Sequence, residues 1–175
     1  MSLKDLTKEK HQAAESTAFM KSVFAKTMPL DTWADFTFQK LLWYGTIEMK
    51  CRAAGHLSDL PDIERAHKIY KDYRAMTGGE HKHKWRQVSS DYHRYLLTLD
   101  NSKILAHLYT WHMGDLFGGQ MIKKIVNAPH EHLEFKDPQV LMTNIRAKLS
   151  DDLAEEANIA FDWAIKVMES YDSDI

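Results

Sequence analysis

Apolar and small residues recur at helical spacing along most of the chain. In the first segment they share one helix face: Leu3, Leu6, Ala13, Ala14 and Thr17. This spacing predicts a helix from about Leu3 to Ser16. No segment shows the sustained two-residue alternation of a half-buried strand. The pattern therefore predicts an all-α protein, with about eight helices packed around one core.

Glycines, prolines and capping residues mark the ends of the other predicted helices. We expect further helices over about 18–25, 31–54, 58–77, 92–99, 101–128, 138–149 and 150–171. Asp31 is the predicted N-cap of the long helix over 31–54, and Gly55 is its predicted C-terminal stop. Pro129 should end the helix that begins near Asn101, because a proline ring cannot continue a helix.

Three of the seven glycines fall close together, at Gly114, Gly118 and Gly119, inside a segment that otherwise has a helical pattern. Each interior glycine costs about 1 kcal/mol relative to alanine. Gly114 and Gly118 leave one line of the helix surface without side chains, while Asp115 and Gly119 form the adjacent row. The pattern predicts a bare strip of backbone on which a large planar ligand can lie. A helix that ends at Gly118, or a close crossing of two helices, would give the same pattern.

A line of charged residues follows one face of the first helix, formed by Lys4, Lys8, His11 and Glu15. Their spacings of four, three and four residues place them on that face. The histidine can give one ring nitrogen to an iron, while Glu15 accepts a hydrogen bond from the other nitrogen and the lysines hold anionic groups. The alternative is a solvated charged face with an incidental histidine.

Composition narrows the classes of protein without choosing among them. The 175 residues fit one domain, spanning 1–175, and the net charge of −2 gives no general attraction to nucleic acid. The single cysteine, Cys51, excludes a disulfide framework and a thiolate-rich metal site. The charged N-terminus lacks the apolar stretch of a signal peptide, and no apolar run approaches the ~20 residues that span a bilayer. We expect a cytoplasmic protein without a membrane or nucleic-acid partner.

Two segments resemble the heme oxygenase family. Residues 6–15, Leu-Thr-Lys-Glu-Lys-His-Gln-Ala-Ala-Glu, are similar to the proximal helix of that family. Residues 106–124 are similar to its distal helix and carry the signature Gly-Asp-Leu-x-Gly-Gly-Gln. Weaker similarity occurs at 60–65 and 155–161. The resemblance implies an all-α fold in which haem is sandwiched between the proximal helix and a kinked distal helix.

The resemblance also implies roles for individual residues. His11 would be the axial ligand of the haem iron, and Asp115 would anchor a water network on the opposite face. Gly114, Gly118 and Gly119 would let the distal helix approach the haem. Positions that match contacts to the haem propionates are Lys4, Lys8, Tyr109 and Arg146. Phe161 either touches the ligand or belongs to the core, and the core is the better interpretation.

The implied activity is heme oxygenation, in which haem is both substrate and cofactor. The ring would be opened at a meso carbon to biliverdin, of the IX-alpha type, with release of CO and Fe2+. The electrons would come from a donor such as a ferredoxin or a reductase, because no flavin or nicotinamide motif is visible. A bilin reductase could act downstream. The alternatives are a haem-binding or haem-delivery protein without turnover, which has no need of Asp115, and a helical interaction module without a cofactor.

Four residues depart from the usual family pattern: Trp111, His112, Phe117 and Met142. They bear on the water network and on which meso carbon is attacked. Among the other histidines, we expect His107 at the surface and His130 and His132 in a solvated loop. The aromatic residues of the long helix, Tyr44 among them, are predicted to be core. The basic residues Lys123, Lys124, Arg146 and Lys148 form either a dock for an acidic electron donor or a solvated surface.

Overall fold

Helices make up nearly all the regular structure of this computed structural model, which describes residues 2–175. The α-helices of that part of the chain are α1 Leu3–Leu6, α2 Lys8–Glu15, α3 Ala18–Phe24, α4 Leu30–Ala53, α5 Ala66–Thr77, α6 Gln87–Leu97, α7 Ile104–Leu108, α8 Gly114–Ile125, α9 Pro138–Lys148 and α10 Ala154–Glu169. A π-helical turn, Tyr109–Met113, joins α7 to α8. Short 3-10 turns lie at Glu131–Leu133, Asp151–Leu153 and Asp172–Asp174. None of residues 2–175 lies in a strand, so the predicted all-α class is confirmed.

The long helix α4 lies at the centre of the packing, against α5, α6 and α7. The last long helix, α10, packs against α2, α3, α6 and α7. Large aromatic side chains fill the space between these helices, among them Phe19, Trp43, Tyr73, Tyr92 and Tyr171. Because neighbouring helices cover α4 on most sides, few of its positions are exposed, and its buried residues include polar ones such as Asp35 and Gln39.

The predicted first helix is interrupted at Thr7. The Thr7 hydroxyl donates to the carbonyl of Leu3 at 2.9 Å, and the Thr7 side chain is buried. The backbone leaves helical geometry there and α2 begins at Lys8. Lys8, His11 and Glu15 therefore share one helix, while Lys4 lies on the separate short helix α1. The prediction of a single helix from Leu3 to Ser16 was wrong in this respect.

Four other predicted helix starts shift. Helix α4 begins at Leu30 with Pro29 in the N-cap position, which places Asp31 inside the first turn. Helix α5 begins only at Ala66, because residues 54–65 form a series of turns. Helix α6 begins before Tyr92, and the segment after Asn101 becomes helical only at residue 104. Gly78 does close α5, with φ +65.

A buried carboxylate on α4 holds the start of α5. The side chain of Glu48 accepts hydrogen bonds from the backbone N–H groups of Arg65 at 2.6 Å and of Ala66 at 3.1 Å. Helix N-termini leave such groups without partners inside the helix. Nε2 of His112, in the π-helical turn, lies 2.8 Å from the same carboxylate. Glu48 therefore joins α4, α5 and the segment before α8.

Replacing Glu48 by alanine should destabilise the protein by about 3–5 kcal/mol, because it leaves a buried histidine and two helix N–H groups without their acceptor. The measurement is the free energy of unfolding in urea. Glu64→Ala is the matched control. Glu64 pairs with Arg52 at the surface, where such a pair contributes about 0–1 kcal/mol. Equal losses for the two variants would contradict the role assigned to Glu48.

Candidate functional site

The segment carrying the glycine cluster begins with a π-helical turn. Residues Tyr109–Met113 form this turn, directly before Gly114. Such turns are rare and often occur at functional sites. The predicted irregularity of this helix is therefore present, but it lies before the glycines, and Gly114, Gly118 and Gly119 themselves lie in regular α8.

The three glycines face two different environments. Gly114 and Gly118 are exposed, and a Cβ atom added to either would meet no atom of another part of the described chain within 4 Å. Gly119 is buried, and a Cβ there would lie 3.0 Å from a side-chain carbon of Leu133. Gly119 thus allows the close approach of α8 to the 3-10 turn at 131–133. Gly114 and Gly118 form the open strip that the sequence pattern predicts.

Asp115 lies on the inward row of α8, next to the open strip. The hydroxyl of Tyr44 donates to Asp115 Oδ2 at 2.7 Å. Lys40 Nζ lies 3.8 Å from Asp115 Oδ1. Burial, and next to it the charge of Asp115, raises the pKa of Tyr44 well above its usual value, so the hydroxyl stays protonated and can donate. The carboxylate is held from α4 while 12% of its side chain stays exposed.

Sequence reasoning assigned Tyr44 to the core and did not single out Lys40 at all. Tyr44 is indeed buried, but its hydroxyl contacts Asp115. A usable signal was present: Lys40, Tyr44 and Glu48 recur every four residues along a helix that is otherwise largely apolar, so their polar groups share one face. That face meets Asp115 and His112.

His11 lies on α2 with 57% of its side chain exposed. Its Nε2 atom lies 3.0 Å from Glu15 Oε1, one helical turn further on, so the predicted contact between these two residues is present. The ring centre of His11 lies 5.6 Å from that of Phe161 on α10. Phe161 is 8% exposed and belongs to the core, and its ring is tilted by 42° relative to that of the histidine.

The remaining predicted contact residues lie at or near the surface. Lys4 and Lys8 are exposed, and Tyr109 is half-buried in the π-helical turn. Arg146 is exposed on α9, and its guanidinium carbon lies 5.6 Å from the ring centre of Phe117. Phe117, one of the departures from the family pattern, is itself half exposed beside Gly118.

The proximal and distal segments share neighbours. Helix α10 packs both against α2, which carries His11, and against the π-helical turn before Gly114. Helix α3, which follows α2 directly, packs against α8. The fold therefore brings the two sequence motifs to the same region of the molecule.

Two histidines expected in solvent are buried. His107 lies between the Tyr92 hydroxyl, at 2.6 Å from Nδ1, and Glu156, at 3.0 Å from Nε2. His132 Nδ1 lies 2.6 Å from Asp72. Both ring nitrogens of His107 therefore have partners inside the protein, whereas His132 has one on Nδ1 only. Burial is the main cause that lowers the pKa of both histidines.

Solved structures define the class of fold. The heme oxygenase-1 of Synechocystis sp. PCC 6803, solved in complex with heme, matches with a TM-score of 0.87 and 18% identity over 98% of this chain and 91% of that one. The heme oxygenase of Leptospira interrogans matches with a TM-score of 0.85 and 21% identity over 97% of this chain and 100% of that one. At these identities the likeness concerns the fold, which is that of heme oxygenases.

The family follows from the sequence comparison. The model of the family described as Heme oxygenase matches residues 1–139. The chain belongs to the heme oxygenase family. Heme oxygenase 2 of Mus musculus is 24% identical over 97% of this chain but only 64% of its own length, and the heme oxygenase of Porphyra purpurea is 25% identical over 99% and 86%. The chain thus spans just under two thirds of the mammalian relative. Between residues 2 and 175, no helix has the length and apolar character needed to cross a membrane.

The two glycine environments predict opposite effects of alanine on stability. Gly118→Ala should raise the free energy of unfolding by up to about 1 kcal/mol, because alanine favours the helix and meets open space. Gly119→Ala should lower it by about 1–3 kcal/mol, because the methyl group crowds Leu133. Urea denaturation of both variants measures the difference. A loss of stability in Gly118→Ala would contradict the open strip.

Stability should fall between about pH 7.5 and about pH 5.5. In the unfolded chain His107 and His132 take up protons near their ordinary pKa of 6.5, whereas the lowered pKa of each folded residue delays protonation. Their contribution is therefore complete above the unfolded pKa and is lost as the pH falls below it. Urea denaturation at the two pH values measures this loss.

His107→Gln should flatten the dependence of the free energy of unfolding on pH. His67→Gln, which replaces an exposed histidine, is the control. The carboxyl group of Asp72 does not contribute to the change in stability between these two pH values. Burial by itself would raise it, but the hydrogen bonds from His132 outweigh burial and lower it, so its contribution is lost only at more acidic pH. A wild-type stability that stays constant from about pH 7.5 to about pH 5.5 would contradict the buried neutral histidines.

Proposed function

We propose that the chain binds haem between α2 and α8, with His11 as the axial ligand of the iron. The support on the α2 side is an exposed imidazole whose one nitrogen is already engaged by Glu15. An acceptor on one ring nitrogen sets the tautomer and leaves the other nitrogen as a neutral donor to a metal. Rotation about the side chain can present either nitrogen while Glu15 accepts from the other.

The open strip of α8 carries the proposal. Gly114 and Gly118 lower the intrinsic stability of the helix, yet no atom of residues 2–175 occupies the space where their side chains would lie. A flat macrocycle placed there would contact the backbone directly. Exposed Phe117 and Met121 adjoin the strip and offer apolar surface to such a ligand.

The charged rim of haem fits the surrounding residues. Lys4, Lys8 and Arg146 are exposed cations, and Tyr109 carries a hydroxyl donor. Cations and hydroxyl groups of this kind bind carboxylates by charge-assisted hydrogen bonds, which suits the two propionates. Gly119 serves this arrangement indirectly, because its close packing on Leu133 sets the position of α8.

Asp115 distinguishes an oxygenase from a haem carrier. Bound haem would supply the iron and O2 chemistry by which its own ring is opened to biliverdin, CO and Fe2+. The carboxylate of Asp115, fixed by Tyr44 and still reachable from the open strip, would hold water on that face and move protons through it. The backbone of Gly114 and Gly118 would confine the space above the ring.

An external partner would supply the electrons. We assign this role to a protein such as a ferredoxin or a reductase, and to one that is acidic where it docks, since Lys124 is an exposed cation on α8, the helix that carries the open strip. The protein would act in the cytoplasm, and a bilin reductase would use the biliverdin that it forms.

Haemin titration followed by reduction in air tests the proposed function. Addition of haemin should produce a Soret band at one equivalent, and a reductant in air should convert it to the spectrum of biliverdin. A Soret band that persists unchanged under reductant and air would show a haem-binding protein without turnover. Absence of any Soret shift would contradict haem binding altogether.

His11→Ala should abolish axial ligation by the protein and with it the conversion to biliverdin. The matched control is His67→Ala, which removes an exposed histidine from α5 and should leave both unchanged. Absorption and electron paramagnetic resonance spectra of the ferric complex report the ligand. Added imidazole should restore a nitrogen-ligated spectrum in His11→Ala. A wild-type spectrum in that variant without imidazole would refute the assignment.

A further inference from the structure

Lys40 is a lysine buried in the middle of α4, with 4% of its surface exposed. Its Nζ atom lies 3.8 Å from Asp115 Oδ1 and 5.0 Å from the ring centre of Tyr44, with Phe36 on the other side at 5.8 Å. Fully buried lysines are rare unless they are paired. The partner on α8 is the carboxylate to which the proposed function assigns the distal role.

Charged side chains on two neighbouring helices act on Lys40. Asp115 lies on α8 and Asp72 on α5, and both carboxylates raise the pKa of Lys40, although burial outweighs them and lowers it overall. His132, in the 3-10 turn, is close enough for Lys40 to contribute to lowering the histidine's pKa. Tyr44, on α4 itself, presents its ring face to the ammonium and its hydroxyl to Asp115.

The two oxygens of Asp115 are held in different ways. Oδ2 accepts the hydrogen bond from Tyr44 at 2.7 Å. Oδ1 faces the ammonium of Lys40 at a distance beyond a direct hydrogen bond but within ion-pair range. A cation at this distance in a poorly solvated interior attracts a carboxylate and restrains its rotation.

An apolar side chain would fill the position of Lys40 at lower cost. Burying an ammonium carries a large desolvation penalty, and methionine has a similar length and shape. The presence of a lysine is therefore explained best by a role that requires its charge. Lys40 lies beside the carboxylate of Asp115, where a positive charge can form an ion pair.

We propose that Lys40 is the buried counter-ion of Asp115, a positioning residue that holds the carboxylate in a fixed orientation beside the open strip of α8. The proposal rests on the proposed function for the part that concerns turnover. Its electrostatic part concerns the protein alone and is tested without haem.

The first test measures the pKa of Lys40 in the haem-free protein by NMR of the labelled lysine side chain. Because Asp115 raises this pKa, Asp115→Asn should lower it by about one unit or more. Asp162→Asn, which removes the surface partner of Lys10, is the matched control and should leave Lys40 unchanged. An unchanged pKa in Asp115→Asn would overturn the proposal.

The second test is a double-mutant cycle on the rate of biliverdin formation. Lys40→Met should slow the wild-type protein about tenfold and should have no further effect in the Asp115→Asn background. Lys21→Met, an exposed lysine on α3, controls for the change in net charge. Equal slowing by Lys40→Met in both backgrounds, or no slowing in wild type, would overturn the proposal.

The two tests separate failure of the proposal from failure of the proposed function. Circular dichroism checks that Lys40→Met is folded, and Lys40→Arg, which keeps the charge, should retain more of the activity than Lys40→Met. If the wild-type protein forms no biliverdin, the proposed function has failed. The NMR measurement then still decides whether Lys40 is the counter-ion of Asp115.

Discussion

The hydrogen bond from the Tyr44 hydroxyl to Asp115 is the contact on which the arrangement of the site depends. It joins the buried central helix α4 to the row of α8 next to the open strip. One turn further along α4, Glu48 binds His112 and the start of α5. With Lys40 one turn before Tyr44, a line of three polar side chains faces the distal segment, and each has a partner there. Because buried polar groups are costly unless paired, this line allows few alternative positions for α8.

The distal helix has two rows with different functions. The inward row, Asp115 and Gly119, is set by contacts inside the protein: the carboxylate by Tyr44, the glycine by Leu133. The outward row, Gly114 and Gly118, has no such contacts. A helix selected for stability alone would carry alanine in the outward row. The proposed planar ligand would account for the glycines there, and the contacts of the inward row hold the helix in place.

Much of this could be predicted from local sequence. The helical class follows from the spacing of apolar residues, and the open strip from glycines four residues apart. The predicted contact between His11 and Glu15 follows from their i, i+4 spacing and is present. The predictions that were wrong concern contacts between residues far apart in the sequence. His107 and His132 are buried because Glu156 and Asp72, far away in sequence, supply their partners. The break at Thr7 coincides with a hydrogen bond from the Thr7 hydroxyl to the Leu3 carbonyl, which the spacing of apolar residues does not reveal. Lys40 and Tyr44 were overlooked because a polar line inside an apolar helix was interpreted as core.

The central claim is that a haem iron is bound by His11 on one side while the ring lies against the bare backbone of α8 on the other. A crystal structure of the haemin complex, with the iron located by its anomalous scattering, tests this most directly. We expect iron at coordination distance from a ring nitrogen of His11 and a macrocycle in van der Waals contact with Gly114 and Gly118. An iron bound to any other residue, or a ring that does not touch these two glycines, would contradict it.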